Sequence, residues 1–145
     1  MIKIVYPEPA FNIRKEKNKD FIFDALRKKW MILTPEEWVR QNMVQYLIQT
    51  KNYPSSLIAI EKEIRLGELK KRFDILVYNS DHQPWMMIEC KATDVTLNET
   101  VLQQLLRYNL SVPVQYLIIS NGHFVFGWER GEQEFKSITE LPDHT

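Results

Sequence analysis

The chain has 145 residues, of which 44% are hydrophobic, 12% aromatic and 26% charged, the length and composition of one globular domain. Its 19 Lys and Arg balance 19 Asp and Glu, so bulk basicity is no argument for nucleic-acid binding, which must rest on where the charges fall. The single cysteine, Cys90, excludes an internal disulfide framework and a paired-cysteine zinc site; the four glycines form no phosphate loop or dinucleotide fingerprint; and no run of about 18 apolar residues offers a membrane span.

In chain order, residues 1–33 mix turn signals (Pro7, Pro9, Asn12) with basic clusters (Arg14-Lys15-Glu16-Lys17 and Arg27-Lys28-Lys29) around Phe21-Ile22-Phe23. They read as an irregular or short-stranded N-terminal extension packed on a core of about 34–130, the whole forming a single domain. Thr34-Pro35-Glu36-Glu37 is a helix start: Thr34 can cap, Pro35 suits the first helical position, and Glu37 stands three residues after the cap. Val44, Leu47 and Ile48 then give one buried face, so the helix is predicted to run to about Thr50, ahead of Pro54. Three strand-like runs follow, 57–66, 72–78 and 85–92, joined by short polar turns that suggest an antiparallel meander. A second helix is expected from about Asn98 to Leu110, with Val101, Leu105 and Tyr108 on a shared face. Two last strands, 114–120 and 123–128, are joined through the turn dipeptide Asn121-Gly122. Helix, three strands, helix and two strands predict an α/β fold with a central mixed sheet flanked by helices.

Chemistry concentrates in the second and third runs of the meander. Period-two alternation sends Glu89 and Lys91 one way and Ile88 and Cys90 the other. Charge in a strand as apolar as Trp85-Met86-Met87-Ile88 needs a compensator, and a hairpin across 79–84 brings Asp74 beside Glu89. Two adjacent carboxylates repel unless a cation stands between them. A hard divalent ion such as Mg²⁺ (or Mn²⁺) takes one or two carboxylates, water and phosphate oxygens, with the Cys90 backbone carbonyl as a further oxygen. Lys91 could then orient or deprotonate a water for attack on a phosphodiester.

Asp74 followed by Glu89-Cys90-Lys91, a Glu-bearing helix before them and Gln104-Leu105-Leu106-Arg107-Tyr108 after them, resemble the PD-(D/E)XK nuclease superfamily. More narrowly, the stretch from about Thr34 to Trp128 is similar to the N-terminal nuclease domain of the type I restriction enzyme R subunit. The resemblance implies a restriction-endonuclease-like α-βββ-α-β core and a metal-dependent endonuclease acting on DNA. It implies Asp74 and Glu89 as metal ligands, Lys91 as the catalytic lysine, and Gln104 and Tyr108 as a Q-x-x-x-Y motif near the active site. A helical Glu often completes such sites; Glu37 is placed there, with Glu36 as the alternative, and Glu37 is as well read as the capping partner of Thr34. Phe73 stands where the superfamily's name expects proline, and the R subunit's motor domains have no room in 145 residues. The expected setting is cytoplasmic, with no membrane partner. DNA is the expected substrate, restriction-system subunits are candidate partners, and a homodimer is what cutting both strands of a duplex would call for. The rival expectation is a nucleic-acid-binding or protein-interaction module that keeps the fold without cutting. Lys70-Lys71-Arg72, with Arg14, Lys15, Lys17, Lys28 and Lys29, are either phosphate contacts or solvated charge.

Overall fold

A six-stranded mixed sheet carries the chain's chemistry, and its order follows from the apolar runs. The computed structural model describes the backbone of all 145 residues and every side chain except that of Leu66. The sheet runs β4 (Ile58–Leu66), β5 (Leu69–Tyr78), β6 (Pro84–Cys90), β7 (Tyr116–Ser120), β8 (Val125–Arg130) and β9 (Phe135–Ile138). Neighbours are antiparallel except β6 and β7, which are parallel because α2 (Glu99–Tyr108) lies in the crossover between them. The expected meander is β4-β5-β6, and the sheet is mixed as the element order required.

The N-terminal extension is short-stranded, one of the two readings its composition allowed. It folds into a separate three-stranded antiparallel sheet, β1 (Ile13–Glu16), β2 (Lys19–Asp24) and β3 (Lys29–Ile32). Its turns use non-glycine residues in the left-handed region, Lys17 and Asn18 in the first and Lys28 in the second. Such turns carry no Gly signal, which is why the sequence left irregular and short-stranded readings both open; the short-stranded one is found. β9 was missed too, because 135–138 is a short half-exposed run at the sheet edge.

Helix α1 (Pro35–Gln49) starts as predicted: Thr34 is extended and its Oγ1 accepts the Glu37 N–H at 3.0 Å. It covers one sheet face, where Val39, Met43, Val44 and Leu47 pack on Ile75, Val77, Met86, Ile88, Cys90 and Ile118. The opposite face buries Phe73, Leu76, Met87 and Leu117 under Val112, Val114 and Leu106, and Ile119 under Leu97 and Leu102. Helix α2 contributes little of itself, Leu102 being its one buried residue. Tyr108, expected on its apolar face, is 74% exposed at its last turn.

Beyond β7, Asn121 Oδ1 accepts the His123 and Phe124 N–H groups and its Nδ2 donates to Val95 O, tying the loop after β6 to the β7–β8 turn. Gly122 has φ +90°, and a Cβ there would lie 3.1 Å from Val39 and 3.2 Å from Thr93, so both backbone and space require glycine.

Candidate active site

Asp74 stands where regular pairing of β5 lapses on both sides. Toward β4 the register steps from Ile60↔Ile75 to Lys62↔Phe73, and toward β6 it ends at Ile75↔Ile88. Glu61, across from Asp74 on β4, has φ +52°, a conformation costing a non-glycine residue roughly 1–3 kcal/mol. Alternation breaks as well: Phe73 and Leu76 share one apolar cluster, while Ile75 and Val77 belong to the other. The Asp74 carboxylate is thereby aimed at the α1 side. Its Oδ2 accepts the Cys90 N–H at 2.8 Å and its Oδ1 accepts from Arg40 Nη2 at 3.2 Å.

Glu89 and Lys91 follow the strand alternation. Ile88 and Cys90 are buried on the α1 side, so Glu89 leans to the α2 side with Met87. Lys91 Nζ lies 3.6 Å from Glu89 Oε1. Glu89 Oε2 is buried with no hydrogen-bond partner, and an unpaired buried carboxylate oxygen is costly. The Lys91 N–H donates to Ser120 O at 2.8 Å, fixing the end of β6 to the end of β7. Asp74, Glu89 and Lys91 keep side-chain exposures of 22%, 24% and 35%, open enough for an ion or substrate to reach. Burial raises the Cys90 thiol well above its usual range, with the Asp74 charge adding to the shift; it is a small hydrophobe and no nucleophile.

The two helical carboxylates part company. Glu37 is buried; both its oxygens accept from Arg27 Nη2 at 2.9 Å, Oε1 from Arg40 at 2.6 Å and Oε2 from Gln41 at 3.0 Å. Behind it Asp24 accepts from the Leu26 and Arg27 N–H groups, the Arg27 guanidinium and Gln41, and Glu61 pairs with Arg27, Arg40 and Arg72. Burial on its own raises the Asp24 carboxyl, but the Arg27 backbone and guanidinium outweigh it and hold Asp24 below the usual range. Burial likewise opposes Arg72, Arg40 and Arg27 at Glu61, and the arginines prevail. Glu36 is half exposed and 3.3 Å from Arg40. Partial burial, then the Asp74 charge, push its carboxyl up, against the pull of Arg40 and Lys91. Glu36 thus feels the charges of Asp74 and Lys91, while the oxygens of Glu37 are taken up by two arginines and a glutamine.

Gln104 and Tyr108 share an exposed face of α2. The Lys71 ammonium sits 4.3 Å from the centre of the Tyr108 ring. Burial lowers the Lys71 pKa, Glu89 and Asp74 oppose that shift, and Lys91 adds to it. Direct contacts therefore join Asp74, Arg40 and Glu36 on the α1 side, Glu89 to Lys91, and Lys71 to Tyr108 on the α2 side. Asp74 and Glu89 thus leave the sheet toward different faces, while both, with Lys91, act on the Lys71 charge. Sequence reading missed Arg40, whose only signal was its position three and four residues after Glu37 and Glu36, and it treated Lys71 as one of a run.

The donor set fits a hard divalent cation. Glu89 offers an unpartnered buried oxygen and Asp74 a second carboxylate, and the Cys90 carbonyl follows Glu89 directly in sequence. Among the described residues no three His, Cys, Asp or Glu side chains form a metal-holding group.

Residues 35–142 match the family model described as the type I restriction enzyme R protein N terminus. No curated protein matches the chain. Among solved structures, a chain from Anabaena variabilis ATCC 29413, described as a "putative nuclease belonging to DUF820", is 15% identical at a TM-score of 0.49, over 92% of this chain and 80% of that one. No helix is long and apolar enough to cross a membrane. The helix, the meander with its Asp74 and Glu89-Cys90-Lys91, and α2 all lie within the matched residues, and the chain belongs to the type I restriction enzyme R protein N-terminal family.

Proposed function

We propose that this nuclease-like domain hydrolyses phosphodiester bonds in DNA with Mg²⁺ or Mn²⁺. The observation that carries the reading is the buried, unpartnered Glu89 Oε2, which lies beside Lys91 and one residue from the N–H that Asp74 accepts. Asp74, Glu89 and the Cys90 carbonyl would hold the metal, which would supply Lewis-acid polarisation of the scissile phosphate and a more acidic water. Lys91 orients the attacking water and offers its positive charge to the negative charge growing on the phosphate oxygens. Glu36, coupled to Asp74 and Lys91, is the helical carboxylate assigned to the site; Glu37 fixes Arg40, which positions Asp74. Gln104 and Tyr108 meet the nucleic-acid backbone from α2. The setting is cytoplasmic, with restriction-system subunits as partners and a homodimer as the form that cuts both strands.

The decisive experiment is cleavage of plasmid and linear duplex DNA in Mn²⁺ by the wild type and by Asp74→Asn, Glu89→Gln and Lys91→Ala. Cleavage by the wild type alone supports the reading. Equal activity in the variants removes these residues from the chemistry.

One observation favours a second reading, a nucleic-acid-binding module that does not cut. Both Asp74 oxygens already have partners, Arg40 and the Cys90 N–H. Saturable, salt-sensitive DNA binding without cleavage in any divalent ion would select it.

A further inference from the structure

Three adjacent cations on β5 have different fates. Lys70 pairs with Glu63 at 3.4 Å and Arg72 with Glu61 at 2.6 Å. Lys71, between them, has no carboxylate ion pair among the described residues and is held instead against the Tyr108 ring. A neutral ring orients an ammonium without cancelling its charge. By strand alternation Lys71 shares the side of Phe73, the α2 side to which Glu89 also leans. The charged groups that act on it are Glu89, Asp74 and Lys91. It is thus an oriented cation at the border of the carboxylate site, open through an exposed tyrosine.

We propose that Lys71, propped by Tyr108, is a substrate-binding residue that grips a phosphate of duplex DNA next to the one positioned at Asp74 and Glu89. This deepens the nuclease reading and rests on its placement of DNA. In this arrangement Tyr108 acts through Lys71, fixing where the ammonium points. A lysine serving only to neutralise Glu89 would not need to be aimed.

The test measures equilibrium binding of a fluorescent duplex by the full chain in Ca²⁺, across a range of salt, with melting temperature as the control for folding. For Lys71→Met, affinity is expected to fall about tenfold and the slope of log K against log salt to shrink by about one phosphate contact. Lys71→Arg should keep the wild-type slope, and Tyr108→Ala should lose part of the binding. In Mn²⁺ the Lys71→Met defect should appear in KM more than in kcat. An unchanged salt slope in Lys71→Met, or a lowered melting temperature with unchanged binding, overturns the proposal. So does a wild type that binds no duplex. If Lys71→Met fails to fold, Tyr108→Ala with wild-type affinity and slope overturns it equally. If the slope shrinks but the wild type never cuts, the hydrolytic reading fails and the Lys71 grip stands.

Discussion

The backbone N–H of Cys90 donates to the Asp74 carboxylate at 2.8 Å, at the point where the ladder between β5 and β6 has stopped at Ile75↔Ile88. A side chain has taken the acceptor role that a neighbouring strand would fill. Asp74→Ala strands that N–H and is predicted to destabilise the domain by about 1–3 kcal/mol. Asp74→Asn keeps a carbonyl acceptor and should cost less while abolishing metal binding. Urea denaturation of the two variants checks this, and equal losses would show that the N–H bond contributes little.

Glu89 Oε2 is the group most in need of a cation. Mn²⁺ at about 100 times its dissociation constant is predicted to stabilise the wild type by about 2.7 kcal/mol, read as a rise in melting temperature. Glu89→Gln should lose that rise and, without metal, melt at or above the wild-type temperature, since its buried atom no longer carries charge. A rise retained by the variant would locate the metal elsewhere.

Glu36 and Glu37 should separate function from stability. Removing Glu37 strips Arg27 and Arg40 of a shared buried acceptor, so Glu37→Ala is predicted to cost about 3 kcal/mol. Glu36 is half exposed, and Glu36→Ala should change stability by less than about 1 kcal/mol while lowering cleavage about a hundredfold or more, the scale of a positioned acid or base. Thermal melts and a nicking assay on both variants distinguish the roles.

Acid should unfold the domain partly through Asp24 and Glu61, whose folded-state pKa values lie below the ordinary 3.8 and 4.5. Their contribution is complete above those unfolded values and is lost as pH falls through the lower, folded ones. Glu36, raised by burial and by Asp74, works the other way, its charged form being disfavoured in the fold. Stability measured from pH 7 to pH 3 should therefore drop most steeply below about 4, and Asp24→Asn should flatten that drop.

Much of this was legible in the sequence. The cap at Thr34, the three strand runs, the helix over 99–108 and the Asn121-Gly122 turn each carry a local chemical signal, and each is where the residues predicted. Period-two alternation gave the outward Glu89 and the buried Cys90. It could not give Asp74, because the alternation of β5 breaks at that residue and only the three-dimensional pairing reveals the break. Nor could spacing distinguish Glu36 from Glu37. Their difference depends on Arg27, which enters from another sheet, and on Arg40, whose reach across to β5 has no sequence signature.

Arg27 follows β2 and meets Asp24 at the end of that strand, Glu37 on the first helix and Glu61 on the main sheet. The small sheet is therefore wired electrically into the ground beneath the carboxylates. Trimming the chain to start at residue 34 would leave Glu37 and Glu61 short of a guanidinium and slacken Arg40, so the shortened protein is expected to lose its alignment at Asp74 before its main sheet comes apart.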